Sequence, residues 1–150
     1  MTDPVTFPGT SPRFALPLLQ VAQAQKEVFV NEALSITDAL LHCAMEGEAA
    51  APPGAPVDGE TWLVAAGASG DWTGQDHALA CRQGGNWIFV QPRDGMRVFD
   101  LSRGQEQLFL GSWQYATSPV EPLGGTTVDS EARAAIADLL AALRIMGLLP

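Results

Sequence analysis

Basic residues are scarce in this chain: eight Lys and Arg stand against 17 Asp and Glu, for a formal net charge of −9, and Lys26 is the only lysine. Nonspecific nucleic-acid binding is driven by cations that neutralise phosphates, so this balance argues against direct contact with nucleic acid. Cysteine is limited to Cys43 and Cys81, too few for a disulfide scaffold. No apolar run approaches the roughly 20 residues that a membrane-spanning helix needs, so membrane insertion is not expected. Met1 to Pro12 is polar and rich in proline and glycine, unlike a secretory leader with its basic start and apolar centre. Synthesis in the cytoplasm is expected, with exit from the cell only as part of a larger particle.

What the chain does have is enough apolar character, 47% of 150 residues, to build a real core. Residues 1–17 read as an extended arm, because Pro4, Pro8 and Pro12 exclude helix and central strand; Phe7 and Phe14 would be its apolar anchors. Residues 18–46 read as helical, with Asn31 as an N-cap and Leu34, Leu40, Leu41 and Ala44 on a broad apolar face. Val28-Phe29-Val30 leaves open whether this is one helix or two. Gly47 supplies a stop, and Ala49 to Pro56 is a linker in which three prolines exclude helix. Residues 57–116 alternate as short strands separated by turns, among them a hairpin at Gly84-Gly85-Asn86. Residues 117–127, with Pro119, Pro122, Gly124 and Gly125, form a second linker. The expected class is α+β: an arm and helix, a small antiparallel β domain (sandwich or partly open barrel), and a C-terminal amphipathic helix.

That helix, residues 128–150, is the most patterned part of the chain. Val128 and Asp129 stand at its start, and Glu131 favours the positive end of its dipole. Ala132, Ile136, Leu139, Leu143 and Met146 alternate steps of four and three, the spacing of a coiled-coil seam. So short a helix is marginal alone in water and must bury its stripe, either on its own domain or on further copies. A homo-oligomer seamed by Ile136, Leu139, Leu143 and Met146 is the first expectation.

The polar residues do not assemble into a recognisable catalytic set. His42, Cys43, His77 and Cys81 are metal-ligand types, but positions 42 and 43 diverge on a helix and the spacing fits no zinc pattern. Gly67–Gly74 is glycine-rich without the Lys-Ser/Thr of a phosphate loop. No serine lies in a nucleophile elbow, and Asp58, Glu60, Asp71, Asp76 and Asp94 read as a solvated acidic rim. No catalytic residue, cofactor or metal is therefore expected. Of the four tryptophans, Trp62 and Trp87 fall on the core side of strand periodicity. Trp72 and Trp113, close to turns, are the candidates for contact with a carbohydrate or partner.

Several longer runs carry a resemblance. Gln23-Ala-Gln-Lys-Glu-Val-Phe-Val-Asn-Glu-Ala-Leu34, Asp58-Gly-Glu-Thr-Trp-Leu-Val64, Gly70-Asp-Trp-Thr-Gly74 and Gly85-Asn-Trp-Ile-Phe-Val-Gln-Pro-Arg-Asp-Gly95 follow one another in order. Together they resemble a phage-associated domain family of unassigned function, found in prophages and in gene transfer agents of alphaproteobacteria. Within it the similarity is to head-spike bases, small virion proteins at capsid vertices. The terminal Asp129–Leu149 segment is similar to the C-terminal helix of related fibre proteins. The resemblance covers most of residues 13–115 and, separately, 128–149. It implies a homo-oligomer, pentameric or trimeric, whose partners are a capsid protein and a spike fibre protein, and it offers no catalytic residues to carry over. The chain has no long β-rich extension, which favours a base or connector. A carbohydrate-binding module touching the cell envelope is the alternative.

Overall fold

A computed structural model describes Gly9, Leu18, residues 26–120 and residues 129–150, with backbone alone for 26–29. Phe7, Phe14 and the rest of the proposed arm lie outside the described residues, as does most of the second linker. Within them the fold is α+β: two helices and two four-stranded, mostly antiparallel sheets that do not close into a barrel.

Helix α1 spans Lys26–Leu40 without a break. It runs straight through Asn31, so Asn31 is no N-cap; the β-branched residues are accommodated, and Thr37 Oγ1 donates to the Ala33 carbonyl one turn back at 2.8 Å. The helix ends earlier than residue 46 because His42 adopts a left-handed conformation, φ +50, which turns the chain out of the helical path. Cys43 then offers its carbonyl to the Phe99 amide at 2.9 Å, and Ala44–Met45 becomes strand β1. Ala49, expected to start a linker, instead ends strand β2, Glu48–Ala49.

These two short strands are one extended strap that serves both sheets. β1 runs parallel to β6 (Arg97–Asp100), with Met45 opposite Asp100. Immediately afterwards Glu46 N–H donates to the Thr61 carbonyl, and β2 runs parallel to β3 (Thr61–Val64) with Ala49 opposite Val64. The first sheet has the order β1-β6-β7-β8, with β7 at Gln105–Phe109 and β8 at Trp113–Tyr115. The second has the order β2-β3-β4-β5, with β4 at Leu79–Gln83 and β5 at Asn86–Val90. The β4–β5 hairpin turns at Gly84 and Gly85, whose φ values of +55 and +77 suit the tight mirror-image turn that matches strand twist. Asp58 Oδ1 accepts the Gly85 N–H and ties that turn to the loop before β3.

The period-two alternation of side chains gives the second sheet two buried faces. Leu63, Leu79 and Cys81 join Ala39 of α1, Cys43, Met45 and Val98 in the main core, with Val90, Met96 and Trp113 against it. On the opposite face Val64, Ala80 and Trp72 form a second cluster, flanked by Trp62, Trp87 and Phe89. Ala80 sits between Trp62 and Phe89 in register, and so small a residue leaves room for the Trp72 ring above it.

Helix α2 spans Ser130–Ile145. Asp129 caps it, its Oδ1 accepting the Ala132 N–H at 2.9 Å. Among the described residues no helix is long and apolar enough to cross a membrane.

Candidate interface and aromatic sites

The apolar stripe on α2 faces away from its own chain for most of its length. Ile136, Leu139 and Met146 are 43%, 59% and 67% exposed, and Leu143 is half-buried. The one buried side chain of the helix is Leu140, next to the stripe and not on it. Sequence spacing alone did not single out Leu140, because it belongs to the neighbouring position of the heptad, on the edge that the chain itself covers.

The last turn is where the helix is fastened. Gly147 takes φ +68, and Leu148 N–H returns to the Leu143 carbonyl at 2.9 Å, the closing bond of a Schellman cap. The Gly147 carbonyl accepts the Glu106 N–H of β7 at 2.6 Å. A Cβ at Gly147 would lie 2.8 Å from the Phe99 ring, so only glycine lets the tail approach this closely. Leu149 is buried beyond it, and Arg144 Nε donates to the Pro150 carbonyl at 2.9 Å. The C-terminal end of α2 is therefore held on the β domain.

Trp72 is fully buried, on the short 3₁₀ turn Gly70–Trp72. Its ring meets Trp87 edge-on, with centroids 5.1 Å apart and planes at 83°. It is a core residue and offers no stacking surface, which corrects its expected role as a contact. Trp113 is half-buried, stands edge-on to Phe109 at 5.2 Å, and donates its indole N–H to the His77 carbonyl at 3.0 Å. Trp62 and Trp87 are each partly covered, with Arg82 5.0 Å above the Trp87 ring.

An aromatic that sequence reasoning passed over is more exposed. Tyr115 at the end of β8 separates two open grooves of about 300 and 250 Å³. The larger is lined by Leu108, Gln114, Leu148 and the ion-paired Arg97 and Glu106; the smaller by Arg103, Gln105, Ser118 and Pro150. The Arg103 guanidinium lies 4.2 Å over the Tyr115 ring while its Nε reaches the buried Asp100 carboxylate at 3.2 Å. Asp100 is fully engaged, accepting also from Ser102 and from Gln107 Nε2, and its role is to fix the β6–β7 turn.

The metal-ligand residue types are dispersed. Cys43 and Cys81 are buried in the main core, while His42 and His77 are exposed. Among the described residues no group of three or more His, Cys, Asp or Glu side chains could hold an ion. In the glycine-rich loop, Asp76 accepts the Ala68 and Gly67 N–H groups at 3.0 and 3.2 Å. These bonds hold its carboxyl below the ordinary value, with a smaller contribution from the adjacent His77.

Residues 30–114, from within α1 to β8, match the family described as a protein of unknown function, DUF2793. The chain belongs to the DUF2793 family. The match covers both sheets and stops before α2, so the family unit is the two-sheet body and the terminal helix lies outside it. No curated protein matches the chain.

Proposed function

We propose that this protein is a structural virion protein, a homo-oligomeric base or connector of a head spike or fibre on a phage-like particle such as a gene transfer agent. The observation that supports this reading is the outward apolar stripe of α2, held on a compact DUF2793 body by a tail that fits only glycine at residue 147. A helix so exposed leaves apolar area in water that association would bury, with each buried Leu or Ile side chain contributing about 1.5–3 kcal/mol. The resemblance of the DUF2793 segments to head-spike bases supplies the setting. The partners are further copies, a capsid protein and a spike fibre protein, and the work is joining them, without catalysis. The protein is made in the cytoplasm and is incorporated into the particle.

The test is the native mass of the purified protein and of the Leu139→Glu/Leu143→Glu variant. An oligomer that dissociates in the variant supports the reading; a wild-type monomer removes it. In particles, deletion of residues 1–14 is expected to release the base together with its fibre, and deletion of residues 128–150 to lose the fibre.

Tyr115 favours a second reading, a carbohydrate-binding module that contacts the cell envelope, because an exposed ring beside open grooves that carry Arg97, Glu106 and Gln114 suits sugar stacking. Titration with envelope polysaccharide separates the two: saturable binding lost in Tyr115→Ala supports the module, and no binding removes it.

A further inference from the structure

Strand β5 ends the second sheet, and among the described residues no strand lies along its outer side. Its five residues pair with β4 without a gap, from Asn86 opposite Gln83 to Val90 opposite Leu79. Within β4, Arg82 turns its backbone groups the other way, its N–H to the Glu60 carbonyl and its carbonyl to the Gly59 N–H. Backbone groups alternate in direction along an antiparallel pair. Asn86, Ile88 and Val90 therefore bond to β4, while Trp87 and Phe89 point their N–H and C=O groups outward. Side chains alternate as well. Trp87 and Phe89 lie half-buried beside the Trp72 cluster, and Ile88 and Val90 lie half-buried on the side of the main core.

Proteins blunt such an edge with a charge, a proline, a bulge or a very short strand. The sequence Asn-Trp-Ile-Phe-Val has no charge and no proline, and its ladder has no bulge. β5 is also the longest strand at a sheet end, with five residues against two in β1, two in β2 and three in β8.

We propose that this edge is an interface between two copies of the chain, whose β5 strands pair antiparallel across it. The inference goes beyond the α2 seam and gives the homo-oligomeric reading a second contact. With Ile88 opposite the Ile88 of the second copy, each Trp87 faces the other copy's Phe89. All the outward groups of Trp87 and Phe89 are then satisfied in one symmetric set of bonds, a self-complementary pattern that closes as a pair. The apolar character of both faces decides the occupant. A strand of alternating polarity would set polar side chains against one of the two clusters. A second β5 lays Trp and Phe beside the Trp72 cluster and Ile and Val beside the main core, and joins the two sheets into one.

The experiment is native mass together with amide hydrogen exchange, resolved by residue with NMR. It uses the full chain, dilute and concentrated, and the Leu139→Glu/Leu143→Glu variant, which lacks the helix seam. The Trp87 and Phe89 amides are expected to exchange freely in dilute solution and to gain the protection of Ile88 and Val90 on association. The variant is expected to keep twice the chain mass and that gained protection; its Ile88 and Val90 amides report that it is folded. An oligomer in which Trp87 and Phe89 still exchange freely overturns the edge pairing and leaves the helix seam standing. A protected pair of twice the chain mass that the variant leaves unchanged upholds the edge and overturns the seam. Protection of both amides in the dilute monomer overturns the edge pairing, because the edge is then already covered. A monomer at every concentration overturns both contacts, and protection appearing only in particles then gives the edge to a strand of a different chain.

Discussion

The indole N–H of Trp113, on the last strand of one sheet, donates to the carbonyl of His77, just ahead of β4 in the other, at 3.0 Å. The bond ties β8, an edge strand of the first sheet, to the segment that leads into β4 of the second, two strands that share no backbone ladder. The Trp113→Phe substitution keeps the ring that stands on Phe109 and packs against the core, and removes the donor. A net loss of about 1 kcal/mol is expected, read as a lower denaturant midpoint at unchanged slope. An unchanged midpoint would mean that the bond contributes nothing to holding the sheets together.

Trp72 should behave as a core residue. Trp72→Ala is expected to cost about 3–5 kcal/mol, through lost burial and the cavity left above Ala80. Trp72→Phe should cost much less, because the buried indole N–H has no hydrogen-bond partner among the described residues and its removal leaves none of their acceptors unmet. Chemical unfolding of both variants checks the order.

Neighbouring leucines on α2 should separate folding from assembly. Leu140→Ala is expected to cost about 2–4 kcal/mol of stability in the dilute chain, because Leu140 is buried within it. Leu139→Ala should stay within about 0.5 kcal/mol in the same measurement, since the side chain is mostly in water. At high concentration the order reverses for native mass, Leu139→Ala weakening association and Leu140→Ala leaving it in place.

Asp76 gives the glycine-rich loop a pH dependence of known sign. Its carboxyl is held below the ordinary value by the Ala68 and Gly67 N–H groups, so the charged form is favoured in the folded loop. That preference is present above the unfolded value of about 3.9 and is lost as pH falls through the lower folded value. Amide resonances of Ala68 and Gly67 are expected to titrate together below about pH 4. Asp76→Asn should abolish the step. The residue is fully exposed, so the effect is local to the loop.

Much of this fold was legible because its signals are local. Strands β3 to β8 announce themselves by alternation and by turns such as Gly84-Gly85, and α2 by its seam and the Asp129 cap. β1 and β2 were not legible, since two residues carry no periodicity and their partners, Phe99–Asp100 and Leu63–Val64, lie far along the chain. Trp72 misled for a related reason. It stands in a loop, and its burial depends on the gap at Ala80, which becomes visible only once β3, β4 and β5 are aligned. Asn31 has the chemistry of a cap, but the helix had already begun at Lys26, so the amides that a cap at residue 31 would serve are already bonded one turn back. At the candidate interface the stripe could be read from spacing, whereas the anchoring at Gly147 depends on Glu106 and Phe99 across the fold.

The strap from Cys43 to Ala50 gives one sheet its β1 edge through Phe99 and Leu101, and the other its β2 edge through Leu63 and Ala65. Neither sheet is complete without it, and it cannot be divided between them. A cut in the chain between β5 and β6 therefore yields two fragments of which one lacks an outer strand and the other keeps an orphaned half-strap. The body should melt as one cooperative unit, and attempts to shorten it to a single sheet should give an unfolded product.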